Sequence, residues 1–267
     1  MIQTDGFTSQ EMIVVAGARI LEDNKVIFAG TGLPLIAITL AQLTHAPGIV
    51  PVFEAGAVGS TLSRGLPLSV GDSRTANQAN FLQGLNSAFE LTQRGFCDYG
   101  FIGGAEVDPY GNLNSTMLGQ FPDQRQKPLV RLPGSGGASD MASSCERTII
   151  IMVHEKRRFN PKLHYLTSPG YLDGSPGARE KAGLAGQGPY RVITTRALLG
   201  FEKESRRMMI LATLPGETVQ SVVENTGFEL IIPDRIEKLE PPSAEELRLI
   251  RKVIDPQGYF IKKKIKD

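Results

Sequence analysis

The sequence predicts an α/β fold, a mostly parallel open sheet with helices on both faces. Three observations point there. Apolar runs of strand length alternate with stretches of helical periodicity. Some runs, such as TIIIMV at 148–153, are apolar at nearly every position, as expected of strands buried on both faces. Glycine-rich turns stand between several runs and the helices that follow. We find no repeat, low-complexity tract or linker in the 267 residues, so one domain over 1–267 is expected.

The elements follow in order. Thr8 with Glu11 three residues on forms a capping-box pattern, and Met12, Val15, Ala16, Arg19 and Ile20 then run at helical spacing to about Glu22. KVIFAG at 25–30 is a short strand, Gly30-Thr31-Gly32 a tight turn, and Pro34 the start of a helix running to about Thr44. GIVPVFE at 48–54 predicts a strand, Asn77 to Arg94 a helix, and YGFIGGAEV at 99–107 a strand. After TIIIMV come the strands RVITT at 191–195 and RMMILATLP at 207–215. A helix near Glu217 to Glu224 and a last one opened by the Ser243–Glu246 capping box complete the map, ahead of a lysine-rich, solvated tail from Ile261 to Asp267. In such a sheet ligands gather at the carboxyl ends of the strands, which places Gly30 to Gly32, Glu54 and Gly103 to Asp108 at one rim.

Composition excludes several functions. Twenty-nine basic residues against 28 acidic ones leave no electrostatic footprint for nucleic acid and no polybasic membrane surface, so a small molecule or a protein is the expected partner. From Gly30 to Phe53 there is no charged residue, but Pro34, Pro47, Pro51, Gln42 and His45 argue for buried elements over a membrane span. Cys97 and Cys145 lack the spacing of a disulfide framework or a thiolate metal cage, and a reducing cytoplasm is expected. The N-terminus has neither a basic nor an apolar leader region, so secretion is not expected.

Glu54 is the most informative residue. It follows the apolar run Ile49 to Phe53 and precedes Ala55-Gly56-Ala57-Val58-Gly59, so a carboxylate is delivered at a strand end into a turn of small side chains. Taken alone, a carboxylate in such a place is more often structural, capping a helix or pairing with an arginine such as Arg64. The loop from Pro133 to Asp140 holds Gly134, Ser135, Gly136, Gly137 and Ala138, whose amides are unobstructed enough to face an oxyanion or a phosphate. It falls short of a dinucleotide signature at Ser139, has no Walker lysine, and is equally well an ordinary turn. Gly30-Thr31-Gly32 before a helix offers a similar anion seat. Asp108 to Thr116, with Asn112 and Asn114, reads first as a tight loop and second as a group of polar contacts for a substrate carboxylate. His45, His154 and His164 have no metal-ligand spacing, and no G-x-S-x-G elbow is present. The run His154 to Arg158 is most simply a solvated face, with a secondary role near phosphates conceivable because it follows a strand.

Taken in register, GTGLP at 30–34, EAG at 54–56, FIGGAEVDPYGNLNST at 101–116, GSGGA at 134–138, HEKRRF at 154–159, TSPGYLDG at 167–174, ENTGF at 224–228 and IDPQGYF at 254–260 resemble the B subunits of glutaconate-type class I CoA-transferases over nearly the whole chain. The resemblance implies the CoA-transferase, sugar-phosphate-isomerase-like form of the α/β fold. It also implies a glutamate nucleophile in an E-x-G element, matched here by Glu54 and Gly56, with Ala55 where serine is expected. Gly137 becomes the expected oxyanion donor. Gly30, Thr31, Gly32, Gly56, Asn112, Asn114, Gly134, Ser135, Gly136 and Ala138 become the expected contacts of CoA or substrate. CoA is then a cosubstrate, with neither metal nor organic cofactor required, and the expected partner is an A subunit in an A2B2 heterotetramer. Relatives of this family have diverged into decarboxylases and ring-opening hydrolases, and the alternatives are a CoA-ester hydrolase or decarboxylase on the same scaffold, or a non-catalytic partner subunit. Retention of Glu54 favours transfer.

Overall fold

In the computed structural model of the chain, which describes residues 6–61, 65–119 and 130–261, the capping box at Thr8 opens helix α1 (Ser9–Arg19). The Glu11 amide donates to Thr8 Oγ1 at 3.2 Å and the Thr8 amide donates back to Glu11 Oε2 at 2.7 Å. Strand β1 (Val26–Ala29), helix α2 (Leu33–Thr44, with Pro34 in its first turn) and strand β2 (Val50–Phe53) follow as the sequence predicts. The charge-free stretch from Gly30 to Phe53 is therefore a turn, α2 and β2. Among the described residues, no helix is long and apolar enough to cross a membrane.

The segment from Asn77 to Arg94 departs from its expected single helix. Strand β3 (Ala57–Val58) pairs antiparallel with β2 and with β4 (Phe81–Leu82), and helix α3 begins only at Leu85 and ends at Gln93. Phe81, Leu85, Ala88 and Phe89 fall at i, i+4, i+7 and i+8, which mimics a helical face. Pairing with β3 draws the first of them into a strand, and Gly84 then caps the shortened helix. The predicted strand 99–107 is likewise two, β5 (Tyr99–Ile102) and β6 (Glu106–Val107), separated by Gly103, Gly104 and Ala105.

The remaining strands and α-helices are β7 (Leu113–Asn114), β8 (Met117–Leu118), β9 (Val130–Arg131), α4 (Ala138–Ser144), β10 (Arg147–Met152), α5 (Ala178–Lys181), β11 (Pro189–Thr194), β12 (Ala197–Phe201), β13 (Met208–Thr213), α6 (Val219–Glu224), β14 (Glu237–Lys238) and α7 (Ala244–Leu249). The sequence does not announce β12, which returns antiparallel to β11 through a turn closed by Thr194 Oγ1, donor to the Ala197 carbonyl and acceptor from its amide. Ser243 and Glu246 form the predicted second capping box, at α7. The lysine-rich tail beyond Ile261 lies outside the described residues.

Ten strands form one sheet in the order β14-β13-β12-β11-β10-β5-β1-β2-β3-β4, with the five from β11 to β2 parallel. Alternation along β1 splits the core. Ile27 and Ala29 pack with α1 and α2 on one face, and Phe28 packs with residues of α3, α4 and α6 on the other. Helices thus cover both faces. From β1 the chain moves to β2 on one side and later to β5 on the other, so the strand order switches at the carboxyl end of β1.

Candidate active site

Glu54 stands one strand from that switch point. β1 and β2 run in register with Ala29 opposite Phe53, so the next step sets Gly30 beside Glu54 at the sheet rim. The turn carrying Glu54 is fixed at both ends. The Gly56 amide donates to the Phe53 carbonyl at 2.8 Å, and the Gln83 amide donates to the Gly56 carbonyl at 3.0 Å. Gly56 has φ +110°, and a Cβ there would collide with the Gln83 carbonyl, so only glycine fits. Of the small residues noted after Glu54, Gly56 is thus required by a backbone contact with the neighbouring strand end.

The loop 133–137 brings Gly137 to the same place. Gly134 is held by donation from its amide to the Ser115 carbonyl at 2.8 Å, and the Ala138 amide is spent on the Ser135 carbonyl at 3.0 Å. Gly137 caps the start of α4, and neither its amide nor that of Gly136 has a hydrogen-bond acceptor among the described residues. A Cβ on Gly137 would lie 3.2 Å from Glu54 Oε1 and 2.6 Å from Phe89 Cζ. Glu54 and Gly137, far apart in the chain, therefore approach each other closely, with Phe89 beside them. Phe89 escaped the sequence reading, because an aromatic inside an apparent helical stripe carries no sign of a site.

The Glu54 carboxylate is half-buried and makes no hydrogen bond or ion pair among the described residues. Arg64, the structural partner considered for it, lies outside them. Gly30, Thr31 and Gly32 lie half-buried on the adjoining turn. Asn112 and Asn114 are placed differently, inside the protein at 4% and 0% exposure. Asn112 donates to Asp108 and to the Leu172 carbonyl and accepts from the Gly170 and Leu172 amides. Asn114 donates to Glu106 and the Met117 carbonyl and accepts from the Thr116 and Met117 amides. Both carboxamides are consumed in shaping the loop that follows β5.

The histidines find internal partners. His154 is clasped between Thr194 and Thr226 and stacks on Phe159; burial, with the nearby Arg196 charge, pushes its pKa down to about 3. His164 Nδ1 meets the buried Glu106 at 2.6 Å, and His45 meets the Leu21 carbonyl and Thr44. Arg157 and Arg158 both turn to Glu155. Cys97 and Cys145 are free and buried on neighbouring strand starts, where the Cys97 thiol and burial raise the Cys145 pKa well above its ordinary value. Among the described residues no cluster of His, Cys, Asp and Glu could hold a metal ion.

A carboxylate with unspent lone pairs beside a glycine whose backbone amide is also unspent can attack an electrophilic carbonyl and have a donor at hand for the resulting oxyanion. Comparison with known proteins narrows that chemistry. Residues 10–225 match the coenzyme A transferase family. The B subunit of glutaconate CoA-transferase from Acidaminococcus fermentans is 39% identical over 268 residues, covering 98% of this chain and 97% of that protein. The B subunit of 3-oxoadipate CoA-transferase from Pseudomonas knackmussii is 37% identical over 246 residues, 92% of either chain. The crystal structure of glutaconate coenzyme A-transferase from Acidaminococcus fermentans superposes with a TM-score of 0.89 at 37% identity, covering 98% of this chain and 100% of that one.

Proposed function

The chain belongs to the coenzyme A transferase family, and from that premise we propose that it is the catalytic-glutamate subunit of a two-subunit enzyme that moves CoA between an acyl-CoA and a carboxylic acid. The observation carrying this reading is the approach of Glu54 Oε1 to Gly137 at the open end of α4. A glutamate serving only as a helix cap would be bonded to a backbone amide; among the described residues this one has no hydrogen-bond or ion-pair partner.

Glu54 attacks the thioester carbonyl, the C–S bond breaks, and CoA thiolate leaves a mixed anhydride. The thiolate then attacks the Glu54 side of the anhydride, releasing the first acid as its carboxylate and leaving a glutamyl-CoA thioester. The incoming carboxylate repeats these steps in reverse, and Glu54 is regenerated as the new acyl-CoA departs. No proton is gained or lost over the cycle. Each tetrahedral intermediate bears an oxyanion, and the amide of Gly137, with that of Gly136, receives it. One such donor lowers a barrier by roughly 3 kcal/mol. Gly30, Thr31, Gly32, Gly56, Gly134, Ser135 and Ala138 line the approach, while Asn112 and Asn114 act by holding the loop behind it. Anhydride formation is uphill, and binding of CoA's pantetheine and nucleotide offsets it without any resident cofactor.

The relatives' designation as B subunits supports an A subunit completing the site, for which the sequence resemblance implies an A2B2 assembly, and the acids in their names support a dicarboxylic acid such as glutaconate as acceptor. Acceptor dependence tests the reading. With the A subunit present, glutaryl-CoA alone gives no turnover and added glutaconate starts it; steady release of free CoA without an acceptor would instead establish hydrolysis.

A further inference from the structure

Arg179 is 5% exposed, and its guanidinium is hydrogen-bonded to no carboxylate among the described residues. Its Nη1 donates to the carbonyls of Gly170 at 2.8 Å and Pro169 at 3.5 Å, and its Nη2 to those of Ala142 at 3.1 Å and Ala185 at 2.8 Å. The side chain lies flat on Gly188, where a Cβ would come within 3.0 Å of Cδ and 3.1 Å of Nε. Burying an uncompensated cation costs several kcal/mol. A methionine would pack the same slot without that cost, so the planar fork of donors is what this position supplies.

The carbonyls it joins belong to different parts of the molecule. Ala142 lies in the last turn of α4, where carbonyls lack intrahelical partners and a positive charge opposes the negative helix end. At seven residues α4 is about 10 Å long, so a shift at Ala142 carries directly to its cap, Gly137. On the other side, Gly170 is tied to the loop after β5, because its amide donates to Asn112 Oδ1 at 2.7 Å. One unbroken set of bonds thus runs from Asn112 through Gly170 and Arg179 to α4 and ends where Gly137 faces Glu54.

We propose that Arg179 is a positioning residue, which fixes α4 along its axis and so sets the Gly137 amide against the oxyanion formed at Glu54. This rests on the roles of Glu54 and Gly137 given above. The test uses the chain assembled with its A subunit, glutaryl-CoA as donor and glutaconate as acceptor. R179K keeps the charge but loses the fork, and R179M keeps a side chain of similar length in the slot but loses both charge and donors. In both, kcat falls about 10- to 100-fold while KM for either substrate moves less than about threefold, since the interaction affected is made only in the transition state. Full kcat in either folded variant overturns the proposal, as does a loss confined to KM. If neither variant folds, the proposal also fails, since Arg179 would then serve folding itself. E54Q is assayed in parallel. An active E54Q removes the underlying reading, whereas an inactive E54Q beside a fully active R179K removes only this inference.

Discussion

The ring of Phe89 abuts Gly137, leaving no room for a side chain: a Cβ on residue 137 would lie 2.6 Å from Phe89 Cζ. Phe89 cannot easily yield, because its ring stacks on Phe28 with centroids 5.2 Å apart over the sheet. Gly137→Ala is therefore expected to displace the start of α4 away from Glu54, at a cost of about 1–3 kcal/mol in stability. Catalysis suffers more, with kcat reduced about 100-fold by the misplaced amide. Thermal unfolding and steady-state kinetics on the same preparation check both numbers.

Gly56→Ala separates geometry from chemistry at the same site. The new methyl meets the Gln83 carbonyl in a backbone conformation with φ +110°, so the Glu54 turn must open or β4 must shift. We expect a loss of about 2–4 kcal/mol in denaturant unfolding and a large fall in turnover, although the Glu54 side chain is untouched.

The buried His154 gives stability a pH dependence of known sign. Its folded-state pKa of about 3 lies below the ordinary 6.5, so the unfolded chain takes up the proton first. The stabilisation is complete above about pH 6.5 and is lost as pH falls toward 3, amounting to about 2–3 kcal/mol between pH 7 and 4.5. Urea unfolding at those two pH values measures the loss. His154→Gln, which can still bond the flanking threonines but cannot titrate, removes this share of the slope.

The isolated chain is expected to show no CoA transfer, and activity should rise and saturate as the A subunit is titrated in. Full turnover by the purified single chain would show that the site is complete without a partner.

How far these features were legible differs from element to element. Helix α1 was readable because Thr8 and Glu11 are a local capping pair whose chemistry needs nothing distant. β1, β2 and β10 were readable because strands buried on both faces are written as continuous apolar runs. The false helix over 77–84 shows the limit, since Phe81, Leu85, Ala88 and Phe89 satisfy helical spacing while pairing with β3 decides the outcome at Phe81 and Leu82. The site divides the same way. Glu54 and Gly137 were both singled out, chiefly by resemblance, but no local pattern states that they touch, because strand order and the packing of α4 bring them together. Asn112 and Asn114 look like surface ligands in a turn-forming stretch and lie buried in the fold. Arg179 carries no signal, since its acceptors are backbone carbonyls that every residue possesses.

The proposal that the residue 54 carboxyl group becomes acylated and then carries CoA is tested most directly by trapping it. The complex of both subunits is incubated with glutaryl-CoA and treated with borohydride, which reduces a glutamyl thioester to the alcohol, and peptides are mapped by mass spectrometry. Conversion of Glu54 alone, abolished by omitting the CoA ester, is the predicted result. An unmodified Glu54 in a turning-over enzyme, or a label on another residue, would contradict it.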